Sequence, residues 1–411
     1  MHSLSDKLRS LGVKPGPGPA PAPPRGTCPI EQAVPGRPFT TSGGETFVVE
    51  TVFPTEHRHG RATLRPVPLP QVLAEWAREP RLAALDPGQF AFLDTETTGL
   101  AGGTGTYAFL IGLGRVHGEG FRVTQFFMRD PAEEPALLTA MTETLRPCAA
   151  FVTFNGKAFD APLLNARGVA NRLPLPLKSA AHLDLLPLAR RLWRDRLPSR
   201  ALGYLETHIL QAARTGDDVE GWMIPQMYFD YLRTGDARPL RKVFYHNATD
   251  LLALAGLFGH VARLLHDPLG QPLEHGADLI ALGRLFEDLD RADEAVSLYE
   301  QGLGRGLPGA LRRDALRRLS AAHRRRGDLS AAVGLWRDAA LARDVHAHVE
   351  LAKFFEHRRR DFAGAEGWAR AALTLVDAPD FPPHERARWR AELEHRLNRL
   401  NRKNRGRKER P

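Results

Sequence analysis

The order of apolar and polar positions divides the chain into three textures. Between residues 45 and 154, short apolar runs are separated by turn formers. Residues 45–53, Glu-Thr-Phe-Val-Val-Glu-Thr-Val-Phe, are β-branched and aromatic and predict a strand; 69–79 predict a helix. An apolar run at 90–93 predicts a buried strand ending at Asp94. Strands follow at 107–116 and 121–128, antiparallel because only 117–120 link them. A helix at 133–145 carries acids in its first turn, where the helix dipole favours them, and a short buried strand follows at 149–154. A meander followed by α/β alternation predicts a mixed sheet flanked by helices. The second texture is helical: 199–234 reads as mostly helix, with Trp222, Tyr228, Phe229 and Tyr231 as core, and 238–265 as one long helix.

The third texture begins near residue 277. Three segments align on the alanines Ala295, Ala332 and Ala365, which lie 37 and 33 residues apart. That spacing brackets the period of helix-pair repeats, in which a small residue stands where two helices cross. The segment resembles tetratricopeptide repeats, which implies an all-α repeat domain with a surface for a protein partner. The division expected is a flexible proline-rich segment at 1–27, with a short amphipathic helix over 1–12, a folded α/β domain at 28–270, repeats at 277–398, and a basic, disordered tail at 399–411.

Composition changes this picture only in places. The 411 residues, 43% of them hydrophobic, suffice for two or three domains. A net charge of +9 and a pI near 9.9 favour an acidic partner such as nucleic acid. The two distant cysteines, Cys28 and Cys148, imply neither a disulfide framework nor a cysteine zinc site. With no signal-peptide core and no apolar run long enough for a bilayer, the expectation is a cytoplasmic protein with no membrane partner.

The candidate chemistry is carboxylate. Asp94 and Glu96 are i and i+2 on a strand and look into one space. Two carboxylates that close repel unless a cation lies between them, and their hard oxygens suit Mg²⁺ or Mn²⁺. The glycine-rich turn at 101–106 is no P-loop, since no Gly-Lys-Ser/Thr follows. After the strand at 149–154, Gly156 permits a tight turn and Asp160 enters the first turn of a helix, at the strand edge where open α/β sheets bind ligands. Asp184, at another strand-to-helix junction, is a cap or a support of the site. His246 and Asp250, four apart, share a helix face. His57 and His59 read as structural or solvated.

Phe92-Leu-Asp94-Thr-Glu96-Thr-Thr-Gly and Asn155-Gly-Lys-Ala-Phe159-Asp160 resemble the first and second motifs of the DEDD exonuclease branch of the ribonuclease H-like superfamily. The third motif departs from it. The family has Tyr-x3-Asp or His-x4-Asp, whereas here His246 has the x3 spacing and Tyr245 the x4 spacing to Asp250. The closer resemblance, over roughly 30–265, is to YprB-type ribonuclease H-like proteins, through the glycine-rich turn, Phe-Asn-Gly-Lys-x-Phe-Asp and His-Asn-x-x-Asp. It implies an α/β ribonuclease H-like domain, a mixed sheet flanked by helices, ahead of the helical repeats. It implies two Mg²⁺ or Mn²⁺ ions held by Asp94, Glu96, Asp160 and Asp250. His246, or Tyr245, would assist the attacking water; His246 is preferred because it lies a full turn before Asp250. Thr97, Thr98 and Leu100 would line a terminal-nucleotide pocket, with Asn155 and Lys157 toward the substrate. The expected function is a two-metal 3′→5′ exonuclease acting on DNA or RNA. The alternative is a non-catalytic nucleic-acid-binding or adaptor protein on a retained nuclease fold.

Overall fold

The computed structural model describes residues 27–99, 105–118 and 120–408. The segments expected as a helix at 1–12 and a proline-rich linker, and the pocket residue Leu100, lie outside the described residues.

Seven strands form one sheet in the order β1-β2-β7-β6-β5-β8-β9. They are β1 (Arg37–Thr41), β2 (Gly44–Pro54), β5 (Phe90–Thr97), β6 (Ala108–His117), β7 (Gly120–Phe127), β8 (Ala150–Thr153) and β9 (Ala181–Asp184); β3 (Arg58–His59) and β4 (Ala62–Thr63) pair separately. The β1 to β7 side is antiparallel, while β8 and β9 add in parallel beyond β5. This is the mixed sheet the meander predicts. The first strand does not end at Asp94. It continues to Thr97, with Asp94 opposite Gly112, Glu96 opposite Leu110, and an irregularity in register after Glu96.

Alternation along β5 decides which way the acids face. Phe90 and Phe92 pack into one buried cluster, where Phe258 of the helix Leu240–His266 lies 5.8 and 5.5 Å away between ring centres. Ala91 and Leu93 pack into the other, with Leu137, Leu138 and Met141 of the helix Glu134–Leu145. Asp94 and Glu96 continue the row of Phe90 and Phe92. They are therefore turned toward Leu240–His266, the helix that carries His246 and Asp250. By length and composition this helix would pass for a membrane span, but 78% of its apolar window is buried inside the protein, as in a core helix.

The segment 199–234 is mostly helical, as expected, in Leu202–His208, the short Gly221–Met223 turn and Ile224–Thr234, with 209–220 irregular; the expectation that all four of its aromatic residues are core does not hold. Of the four aromatic residues there, Tyr228 is core, stacked on Phe109 at 4.0 Å with its hydroxyl donating to Met128 O at 3.0 Å. Tyr231 is half-buried, whereas Trp222 and Phe229 are exposed, so helical spacing did not identify a buried face here.

The C-terminal region comprises three helix pairs, Gly276–Asp288 with Ala292–Leu303, Gly309–Arg325 with Leu329–Leu341, and Val345–Phe354 with Phe362–Asp377, then a final helix Pro383–Lys408. Ala295, Ala332 and Ala365 are all buried, and each is the fourth residue of the second helix of its pair. Close crossing also explains Gly283, where a Cβ would come within 2.7 Å of the Tyr299 ring. The first pair shares a continuous core with the sheet, Leu279 and Leu282 lying in the cluster of Leu192 and Trp193, and ion pairs Arg196–Asp278 (2.9 Å) and Arg284–Asp195 (2.5 Å) cross the junction. The tail is not disordered from residue 399. The last helix runs on to Lys408 because Arg399 and Lys403 meet the buried carboxylate of Glu356.

Candidate active site

Three elements deliver the acids. Strand β5 supplies Asp94 and Glu96. Helix Asp160–Ala170 supplies Asp160 as its first residue, and helix Leu240–His266 supplies Asp250. The turn before Asp160 uses two residues. Asn155, not Gly156, adopts the left-handed conformation (φ +69°), and glycine is required at 156 because a Cβ there would lie 2.6 Å from Thr153. Asp184 clasps this turn. Its carboxylate accepts from the backbone N–H groups of Asn155 (2.8 Å) and Lys157 (3.1 Å), and caps its own helix at Leu186 (3.0 Å). Asp184 is thus both cap and support, and it does not join the acid cluster through any hydrogen bond.

The acids crowd one another. Burial, then the charges of Asp250, Glu96 and Asp160, hold the Asp94 carboxyl well above its usual range, against one hydrogen bond from Asn247. Glu96 is pushed up to about 8, first by burial and then by Asp250 and Asp160, with the His246 charge opposing. Asp160 is raised by burial, against the hydrogen bond it accepts from the Thr95 hydroxyl. Among the described residues Glu96 has neither a hydrogen bond nor an ion pair. Asp94 has only the amide of Asn247, which donates to its Oδ2 at 2.8 Å.

Among the described residues one guanidinium reaches the cluster. Arg214, from the irregular segment 209–220, hydrogen-bonds Asp250 through Nη2, Glu206 through Nε (2.6 Å) and Asp218 through Nη1 (3.2 Å). The buried Glu206 is also bonded to His59 Nε2 at 2.7 Å, so this histidine is structural, while His57 packs on the Phe53 ring. His246 Nδ1 lies 2.8 Å from Asp218 Oδ1 and Nε2 lies 3.7 Å from Asp250 Oδ2. Burial opposes a charge on His246, but Asp250, Glu96 and Asp218 outweigh it and raise its pKa. Tyr245 points elsewhere, its hydroxyl accepting from Thr215 N at 3.1 Å. Of the two candidates for the third motif, His246 is the one that faces the acids.

The expected substrate residues separate. A cleft of about 520 Å³ beside Asp160 is lined by Thr97 and Asn155, together with Thr95, Thr106 and the exposed ring of Phe159. Thr98 is not in that lining; its hydroxyl accepts from Tyr107 N (3.0 Å) and secures the end of β5. Lys157 is exposed, and its charge acts on His182 and Glu79 rather than on the acids.

Among the described residues no three His, Cys, Asp or Glu side chains are gathered closely enough to hold a metal ion as they stand. Even so, Asp94 and Glu96 feel the charges of Asp250 and Asp160, a single guanidinium is bonded to the set among the described residues, and both carboxyls are held up first by burial and then by that crowding. Hard oxygen donors carrying excess negative charge are what Mg²⁺ and Mn²⁺ take, so the residues fit such ions.

Comparison with known proteins places this geometry. Residues 91–262 match the model of an RNase H superfamily domain. The chain is 30% identical over 349 residues to the uncharacterised protein YprB of Bacillus subtilis strain 168, covering 82% of this chain and 83% of that one. The chain belongs to the YprB family of ribonuclease H-like proteins. In this YprB-family chain the matched span opens within β5 and closes within Leu240–His266, so it encloses Asp94, Glu96, Asp160 and Asp250. It also encloses Arg214 and Asp218, which sequence reasoning missed. Their only signal was an i, i+4 pair of opposite charge, and that reads as a solvated helix face.

Proposed function

We propose that this chain is a divalent-metal-dependent nuclease that hydrolyses phosphodiester bonds as a 3′→5′ exonuclease. The observation that supports the reading is the convergence of Asp94, Glu96, Asp160 and Asp250, with Arg214 the single guanidinium bonded to them among the described residues. The polarity rests on the resemblance of the motif at 92–99 to DEDD exonucleases. The four carboxylates would hold Mg²⁺ or Mn²⁺. Two such ions, when bound, supply an activated water and stabilise the leaving oxygen.

The chain's own residues do the rest. Asn247 fixes the Asp94 carboxylate. Because Nδ1 is engaged by Asp218, His246 presents Nε2 to the acids, and it would take a proton from the attacking water there once divalent cations offset the carboxylates that raise its pKa. The cleft lined by Thr97, Asn155 and Phe159 seats the terminal nucleotide, with the Phe159 ring as a face for its base.

One observation favours a second reading, a non-catalytic nucleic-acid-binding or adaptor protein. The Arg214 bond to Asp250 already meets part of the charge that ions would neutralise. A time course on end-labelled single- and double-stranded DNA and RNA, in Mn²⁺ and in EDTA, separates the two. A one-nucleotide ladder from the 3′ end, absent in EDTA and in Asp160→Ala, supports the exonuclease. Intact strands under all conditions support the adaptor.

A further inference from the structure

The arginines of the helical region are mostly paired with acids, as in Arg317–Asp344 (2.7 Å), Arg318–Glu287 (2.9 Å) and Arg324–Glu350 (2.9 Å). One group departs from this. Arg337, Arg358 and Arg359 line a groove of about 780 Å³ with the rings of Phe354 and Phe355, and none of the three has an acidic partner among the described residues. Arg359 sits over the Phe354 ring at 5.8 Å, and the two rings stand edge to face, 5.6 Å apart. The one carboxylate in the lining, Asp361, is spent on capping the next helix through Gly364 N at 2.9 Å.

The groove is held in shape by an inverted acid. Residues Phe355–Arg359 form a single π-helical turn, a form that recurs at functional positions. Its Glu356 is turned fully inward, where Arg399 (2.7 Å), Lys403 (2.9 Å) and Arg396 (3.2 Å) of the last helix grip it. The acid of the turn therefore faces the protein, and its arginines face outward. Clustered guanidinium groups beside part-exposed aromatic rings match one ligand chemistry, a phosphodiester backbone with unstacked bases.

We propose that this groove is a second nucleic-acid site, holding a single strand of RNA or DNA at a distance along the chain from the carboxylate cluster. It rests on the reading of the chain as a nuclease, for which it supplies a grip on substrate outside the reaction site.

The test is fluorescence anisotropy of labelled single strands with the full-length chain, in EDTA, across a salt series. The native chain is compared with the triple variants Arg337→Ala/Arg358→Ala/Arg359→Ala and Arg337→Lys/Arg358→Lys/Arg359→Lys. The alanine variant is expected to bind at least about tenfold more weakly, and to flatten the dependence of log affinity on log salt by about two, three phosphate contacts at roughly 0.7 each. The lysine variant, which keeps the charge, should retain the slope. Equal affinity and slope for the native and alanine chains overturn the groove, as does a native chain that binds no strand; a groove for a protein partner gives the first of these results. A native chain that binds strands through the groove but cuts none overturns the nuclease reading alone.

Discussion

Asn247 Nδ2 donates to Asp94 Oδ2 at 2.8 Å, while Asn247 Oδ1 accepts from Gln125 Nε2 at 2.9 Å. Gln125 Nε2 also donates to Phe244 O at 2.8 Å, which fixes the direction of the whole chain of bonds. A carboxylate on β5 is thus set by an amide on the helix opposite and by an amide on β7. The fit leaves no slack: a Cβ at Gly112, across from Asp94, would lie 2.2 Å from Asn247 Oδ1. Asn247→Ala leaves one N–H of the buried Gln125 amide without its acceptor and should cost about 1–3 kcal/mol. Gly112→Ala should cost about as much through overpacking. Urea unfolding of both variants checks this, and native midpoints would contradict it.

Arg214 is the resident counter-ion of the acids. Arg214→Gln breaks a mostly buried set of ion pairs and should destabilise the metal-free chain by about 2–4 kcal/mol. Because the same carboxylates are offered to divalent ions, Mn²⁺ should raise the thermal midpoint of this variant more than that of the native chain. Equal shifts in both would separate Arg214 from the ion site.

Asp218 orients His246 from outside the acid cluster. Asp218→Asn keeps the shape but removes the charge that holds Nδ1, so turnover should fall by roughly 10- to 100-fold with KM little changed. Steady-state kinetics on a short labelled strand measures this split. A rise in KM alone would assign Asp218 to binding.

Glu356 makes the helical region sensitive to acid. Its neighbours Arg399 and Lys403 hold its carboxyl down at about 2, against the cost of burial, below the ordinary 4.5. A depressed carboxylate contributes stability that is complete above its unfolded pKa and is lost as pH falls from about 4.5 toward 2. After allowance for solvent screening at the outer ends of the cations, the contribution is about 2 kcal/mol. Glu356→Gln should therefore lower the midpoint of denaturant unfolding near pH 7 and make its decline between pH 4.5 and 2.5 shallower, Glu287 and Asp314 supplying part of what remains. An unchanged acid limb in the variant would assign that decline to other carboxylates.

The parts of the site that could be read from the sequence are those in which local spacing carries the geometry. Asp94 and Glu96 share a face because a strand has period two. His246 and Asp250 share one because a helix returns after four residues, and Asp160 follows a strand end directly. The alanines of the helix pairs were legible for the same reason. Arg214 was not, because 209–220 has no period and its partners Glu206 and Asp250 come from other elements. The tight turn read at Gly156 is present, but its left-handed residue, Asn155, was not legible, and Gly156 serves instead in close contact with Thr153. The tail looked solvated because the acid that orders Arg399 and Lys403 stands more than forty residues earlier.

Uptake of divalent ions by the four carboxylates decides between a nuclease and a retained fold. Isothermal titration of the full-length chain with Mn²⁺, beside Asp94→Asn, measures that directly. We predict saturable uptake by the native chain and its loss or severe weakening in Asp94→Asn. No uptake by the native chain, or the same uptake by both, would contradict the account.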